Sequence, residues 1–120
     1  MSTSNLPSII IIDIQSKYRN IYSYSINGKF LKSEKEEDTL LNPIIIKDLN
    51  FIEYMLYICK NNNSVVIRNL PFLNIQTIIQ DIENISGICV SDDIKILYAI
   101  SNEEEQIYVI KDDPKQTVIN

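Results

Sequence analysis

The sequence contains no histidine and no tryptophan, and only two glycines and two cysteines. Without histidine the commonest general base and the commonest metal ligand are both missing. No Ser-His or Cys-His nucleophile can be assembled. The glycines, Gly28 and Gly87, stand far apart, so there is no glycine-rich phosphate loop. Cys59 and Cys89 lie in apolar stretches and lack the C-x-x-C spacing. They read as reduced, buried small hydrophobes, with a disulfide or redox pair as the alternative. Apolar runs are short: Ile9 to Ile12 is closed by Asp13, well below the ~20 residues that span a bilayer. No basic segment precedes it in the manner of a signal peptide. The expected location is cytoplasmic, with no membrane contact.

What is present fits a globular protein. The 120 residues, 45% of them hydrophobic, suit one domain with one core. Residues 1–5 and 112–120 read as loose ends. The net charge of −5 gives no overall field for a phosphate backbone, so a nucleic-acid contact would need a local basic patch or a basic partner. Isoleucine is used heavily, alongside Asn, Lys and Tyr, which reflects AT-rich coding.

Along the chain, the Ile run at 8–14 predicts a buried strand. Residues 20–26 alternate as a half-buried strand does, with Tyr22, Tyr24 and Ile26 on one face. Asn27-Gly28 then signals a type I′ hairpin, with 29–32 returning as the partner strand. The charged stretch 33–38 reads as a loop. Asn42-Pro43 punctuates the chain, and 44–46 is a short apolar run, strand or extended.

From Asp48 the spacing becomes helical, with Leu49, Ile52, Met55, Leu56 and Cys59 on one face and Asn50 with Glu53 as a capping box. The three asparagines 61–63 stop it. A strand at 65–68 follows. A second helix is expected after Pro71, with Asn74 as its cap, Ile75, Ile78, Ile79, Ile82 and Ile85 as its apolar stripe, and Gly87 as its stop. Residues 94–100, apolar on both faces, read as a central strand. Residues 103–110 stay open between a short helix capped by Ser101 and a strand at Ile107 to Ile110. The fold class expected is α+β: one small domain, a mixed or antiparallel sheet with two main helices packed on it.

Candidate chemistry is sparse. Asp13, at the end of an Ile run, stands where ribonuclease H-like nucleases place a metal-binding Asp. Such cleavage needs two or three carboxylates around the ions. Asp81, Glu83, Asp92 and Asp93 are not placed at the ends of apolar strands, so Asp13 reads as a solvated strand end. Asp92-Asp93 reads as a polar turn. The acidic runs 34–38 and 103–105 read as solvated faces. Tyr22 and Tyr24 could stack single-stranded bases, but without interleaved cations they read as sheet-face cover. No catalytic residue, metal or cofactor is expected.

The order Leu41-Asn42-Pro43-Ile44-Ile45-Ile46-Lys47-Asp48 into a helix, then Val65-Val66-Ile67-Arg68-Asn69-Leu70, Asn74-Ile75, Gly87-Ile88 and the strand 94–100 resembles the TPRKB-like kinase-binding subunit of the KEOPS complex, across residues 41–100. That complex places a threonylcarbamoyl group on the adenosine beside the anticodon of certain tRNAs. The resemblance implies a non-catalytic accessory subunit that binds and regulates a small kinase/ATPase subunit, with the tRNA acceptor end as a second contact. It implies a partner surface at Ile75, Ile79, Ile107 and Ile110, and tRNA contacts at Lys60 and Arg68. The alternatives are a small ribonuclease H-like nucleic-acid-processing domain using Asp13, and a viral or archaeal interaction protein without an assigned partner.

Overall fold

The computed structural model describes residues 7–14, 19–91, 95–101, 103, 105–111 and 116–119. Every regular element among them is a strand. The first sheet holds β1 (Ser8–Asp13), β2 (Arg19–Ser25) and β3 (Phe30–Glu36). The middle sheet holds β4 (Leu40–Lys47), β5 (Glu53–Cys59), β6 (Ser64–Asn69) and β7 (Asn74–Ile79). The third holds β8 (Gly87–Val90), β9 (Ile96–Ser101), β10 (Gln106–Lys111) and β11 (Gln116–Ile119). Each sheet is an antiparallel meander in chain order: β1-β2-β3, β4-β5-β6-β7 and β8-β9-β10-β11.

The central strands β5 and β6 of the middle sheet are buried on both faces, and β5 shows why. Met55, Tyr57 and Cys59 point to the first sheet, where they pack with Ile21, Val66, Leu70 and Leu73. Leu56 and Ile58 point the other way and pack with Val65, Ile79, Ile82, Leu97, Ala99, Tyr108 and Ile110. All five β5 residues from Met55 to Cys59 are buried. A strand with two buried faces carries an unbroken apolar run, because neither parity of its side chains meets water.

This corrects the α+β expectation: the domain has no helix packed on a sheet among its described residues. The segment from Asp48 had the apolar spacing of a helix only because a continuous run satisfies any period. In the strand, Met55 and Cys59 face one sheet and Leu56 the opposite one. Asn50 and Glu53 form no cap. Instead Asp48 closes a hairpin turn, its Oδ1 accepting from the Asn50 and Ile52 amides at 2.8 and 2.9 Å.

The second expected helix is β7 and the connection after it. Ile75 and Ile78 are half exposed, and only Ile79 and Ile82 of that stripe are fully buried. β-branched isoleucine is a weak helix former and a good strand former, so local preference agrees with the strand. Gly87 opens β8 rather than ending a helix.

Other expectations held in part. The strands at 8–14, 20–26, 44–46 and 65–68 are found in β1, β2, β4 and β6. The strand at 94–100 is β9, interior between β8 and β10. Ile107 to Ile110 lies in β10, resolving that ambiguity as strand. The charged stretch 33–38 is not a loop: β3 runs through Glu36. Asn42-Pro43 falls inside β4 as a bulge, with Asn42 at φ 50°. The 26–29 turn is not type I′, because only Gly28 has positive φ, at 86°. The Gly28 amide donates to the Ser25 carbonyl at 2.9 Å, a type I turn followed by a left-handed glycine. Of the ends expected to be loose, residues 116–119 form β11, while 1–6, 112–115 and 120 lie outside the described residues, as does Asp92-Asp93.

The three sheets converge along one edge. The Ser8 amide at the start of β1 donates to Glu53 Oε1 at the start of β5, at 2.8 Å. Asn42 Nδ2 in β4 donates to the carbonyl of Ser86, just before β8, at 3.1 Å. The third sheet comes nearest the middle one where β8 meets β5. At the opposite edge the first and middle sheets part around β7.

The packing predicts a contrast that a helix would not give. Leu56→Ala, at a fully buried site, should destabilise by about 2–5 kcal/mol. Ile75→Ala, at a half-exposed site, should cost about 1 kcal/mol or less. Urea midpoints at unchanged slope would measure both.

Candidate functional site

Where the first and middle sheets part, they leave an open cleft of about 890 Å³. One wall is the end of β3 and the residues after it, Lys35 to Asp38. The floor is Cys59 on β5 with Ser64, Val66 and Arg68 on β6. The far wall is β7, through Ile75 and Ile78, and then Gln80 and Asp81. Arg68 pairs with Ile75 and Val66 with Ile78, so both isoleucines share the face that meets the first sheet. The first sheet has three strands against four, and β7 is left uncovered on that side.

A buried polar chain forms the base of the cleft. Arg68 is only 5% exposed. Its Nε donates to the Tyr57 hydroxyl at 2.9 Å, and its Nη1 donates to the Leu73 carbonyl at 2.7 Å. Its guanidinium carbon lies 6.0 Å from the centre of the Tyr57 ring. The Tyr57 hydroxyl donates to Glu36 Oε1 at 2.6 Å, and Cys59 Sγ approaches the same oxygen at 3.5 Å. The chain runs from Glu36 on β3 through Tyr57 on β5 to Arg68 on β6, and so ties the two sheets together. Leu73, fully buried, holds a left-handed backbone at φ 62°. A bulky residue in that conformation is strained, and the bond from Arg68 to its carbonyl helps hold it.

Asp38 is buried and serves the backbone. Its Oδ1 accepts from the Thr39 and Asn61 amides, and its Oδ2 from the Asn62 amide, at 2.6, 3.0 and 2.9 Å. It thus pins the β5–β6 turn to the end of the first sheet. Burial raises the Tyr57 hydroxyl well above the ordinary tyrosine range; its bond to Glu36 adds to this and Arg68 opposes it. Burial, then the charges of Glu36 and Asp38, push the Cys59 thiol up to about 12. Cys59 is therefore an inert thiol, as its sequence context implied.

The residues singled out from sequence do not form one site. Arg68 is on the cleft floor, and both of the bonds just described are internal. Lys60 is exposed in the β5–β6 turn and lines a second, smaller cleft of about 520 Å³. Ile75 is on the cleft wall, and Ile107 is exposed on the third sheet. Ile79 and Ile110 belong to the core between the middle and third sheets. Asp13 ends β1 opposite Asn20. No group of three or more potential metal ligands occurs among the described residues. Sequence reasoning passed over Glu36, Tyr57 and Asp38. The only local signal was a polar-aromatic strand facing an acidic run that had been read as a loop.

No family model, curated protein or solved structure matches the chain.

Two measurements test the polar chain. Tyr57→Phe leaves Arg68 Nε and Glu36 Oε1 without their shared partner, and should cost about 1–3 kcal/mol in urea denaturation. Cys59 binds its proton more tightly when folded, so its contribution is complete below pH 9 and is lost as pH rises toward 12. The melting temperature should fall over that range, and Cys59→Val should flatten the fall.

Proposed function

We propose that this chain is a non-catalytic binding module built from propeller-type blades, and that it takes an extended, positively charged peptide segment along β7. The observation that carries the reading is an edge strand standing open beside a cleft. β7 is hydrogen-bonded to β6 on one side and has no neighbouring strand on the other among the described residues. Edge strands of this kind recruit extended peptides by strand addition: main-chain bonds supply affinity, and alternate side chains enter pockets. Here the pocket has apolar contacts at Ile75 and Ile78 and an acidic rim. Its lining holds Glu36, Glu37, Asp38 and Asp81 against Lys35 and Arg68, four acids to two bases. Arg68 and Asp38 are buried, which leaves Glu37 and Asp81 as exposed acids able to meet a ligand cation.

The blade reading rests on topology. Successive antiparallel meanders, each complete before the next begins and packed face to face about a common edge, are the construction of β-propellers. A two-sheet sandwich differs, because its chain crosses between sheets. Propeller blades commonly serve as interaction scaffolds. The non-catalytic assignment is supported by the absence of histidine and by buried polar groups engaged in structural bonds. Nothing in the fold or the comparisons supports the KEOPS-type subunit, and the two helices in its pattern are occupied by β5 and β7. No kinase or tRNA partner is carried forward.

A fluorescent extended peptide alternating Lys with Val should bind saturably, with affinity falling as salt rises. The double substitution Glu37→Lys with Asp81→Lys should weaken binding about tenfold or more, equivalent to ~1.4 kcal/mol. Binding that ignores this charge reversal, or no saturable binding, would remove the reading.

A further inference from the structure

We propose that the outer faces of the first and third sheets are docking surfaces for a second copy of this chain. The first sheet of one copy stacks on the third sheet of the other, and two copies close a ring of six sheets. The inference rests on the blade reading above.

Each of the two outer faces carries an apolar cluster. In the first sheet, Ile10, Ile12 and Ile21 point inward to the middle sheet. The opposite parity carries an apolar cluster, Ile9, Ile11, Tyr22, Tyr24 and Phe30, with Asp13, Asn20, Ser33 and Lys35 beyond it. Ile9 pairs with Tyr24 and Ile11 with Tyr22, and Tyr24 pairs in turn with Phe30. The Tyr24 and Phe30 rings meet edge to face at 5.7 Å. Ile9, Ile11 and Phe30 are 43%, 50% and 52% exposed. In the third sheet, Leu97, Ala99, Tyr108 and Ile110 point inward. The opposite parity carries Cys89, Ile96, Tyr98, Ile100, Ile107 and Val109, with Ile107 paired to Ile100 and Tyr98 to both Cys89 and Val109; Ile100 and Ile107 are exposed and Val109 is already buried. An antiparallel sheet that ends at water alternates apolar-in with polar-out. Neither terminal sheet does so.

Several points select a second copy as the occupant. The contact would repeat the face-to-face stacking that already joins the first sheet to the middle one and the middle to the third. Propellers close with about four to eight blades. The three sheets among the described residues, taken twice, give six, within that range. The contact joins unlike faces, and it closes under a two-fold axis because each copy offers one face of each kind. Strands about 4.8 Å apart, with about 3.3 Å per residue, give each face on the order of 320 Å². Two faces per copy then give about 640 Å² from each partner, at the lower end of the roughly 1,200–2,000 Å² total of a stable interface.

The test is the solution mass of the 120-residue chain by light scattering across a concentration series. The expected value is twice 13.9 kDa. Ile11→Lys and Ile100→Glu lie on exposed positions of the two faces, so circular dichroism should stay that of the parent. Each alone should halve the mass. Mixed together they should restore it, because one of the two interfaces then pairs Lys with Glu and the other is unaltered. Cys89, on the outer face of the third sheet, should react with a thiol reagent more slowly in the parent than in the Ile100→Glu variant; this readout stands even if Ile11→Lys fails to fold. A parent of single mass at its highest soluble concentration overturns the proposal. So does a dimer that Ile11→Lys breaks and Ile100→Glu leaves intact, which would mean like faces meeting. A monomer that still binds the Lys-Val peptide discards the ring and leaves the peptide site standing. A six-sheet dimer that binds no peptide keeps the ring and discards the site.

Discussion

Two-sided burial of β5 is the constraint on which the other features of the domain depend. Its odd-numbered residues, Met55, Tyr57 and Cys59, complete the core against the first sheet, and Leu56 and Ile58 complete the core against the third. Removing either neighbouring sheet would expose one whole parity of that strand. The three sheets are thus held as one body by a single central meander, although each is local in sequence. Most strand pairing is between consecutive strands, which keeps sequence separation short, a property associated with faster folding among β proteins.

The same arrangement produces the cleft. A three-stranded sheet cannot cover a four-stranded one, and β7 is the strand left over. The polar chain from Glu36 through Tyr57 to Arg68 lies at the boundary between covered and uncovered surface. A buried guanidinium is tolerated there because its Nε and Nη1 have acceptors and its plane lies near an aromatic ring. Arg68 therefore organises the floor of the cleft and the strained turn at Leu73, leaving the exposed rim to Glu37, Asp81 and the two isoleucines. Structural charge is separated from accessible charge, so the rim can change without loss of the fold.

Legibility followed exposure. β2 alternates in sequence, but the alternation points the wrong way: Ile21 and Ser23 face the core, while Tyr22 and Tyr24 lie on the outer face. β5 has no alternation because both of its faces are buried, and its run also fitted a helix. β7 misled for the opposite reason. Its isoleucines sit at helical spacing, yet Ile75 and Ile78 are half exposed and only Ile79 is buried. A pattern of apolar residues reports a face only when that face is buried, and the edge position of β7 breaks this link. Glu36 was read as part of a solvated run because a carboxylate gives no local sign that a tyrosine from 21 residues away will reach it.

By itself the sequence determined the chemistry that this protein does without. With no histidine and no phosphate loop, common catalytic designs were excluded before any fold was known. It also located β1, β2, β4, β6 and β9 as strands, because apolar runs and turn residues are local signals. Tertiary structure alone decided that the middle of the chain is sheet, which side of β5 meets which neighbour, and where a cleft opens. Those outcomes depend on how many strands stand on each side of a shared core. That is a property of the assembled sheets, and no stretch of residues carries it alone.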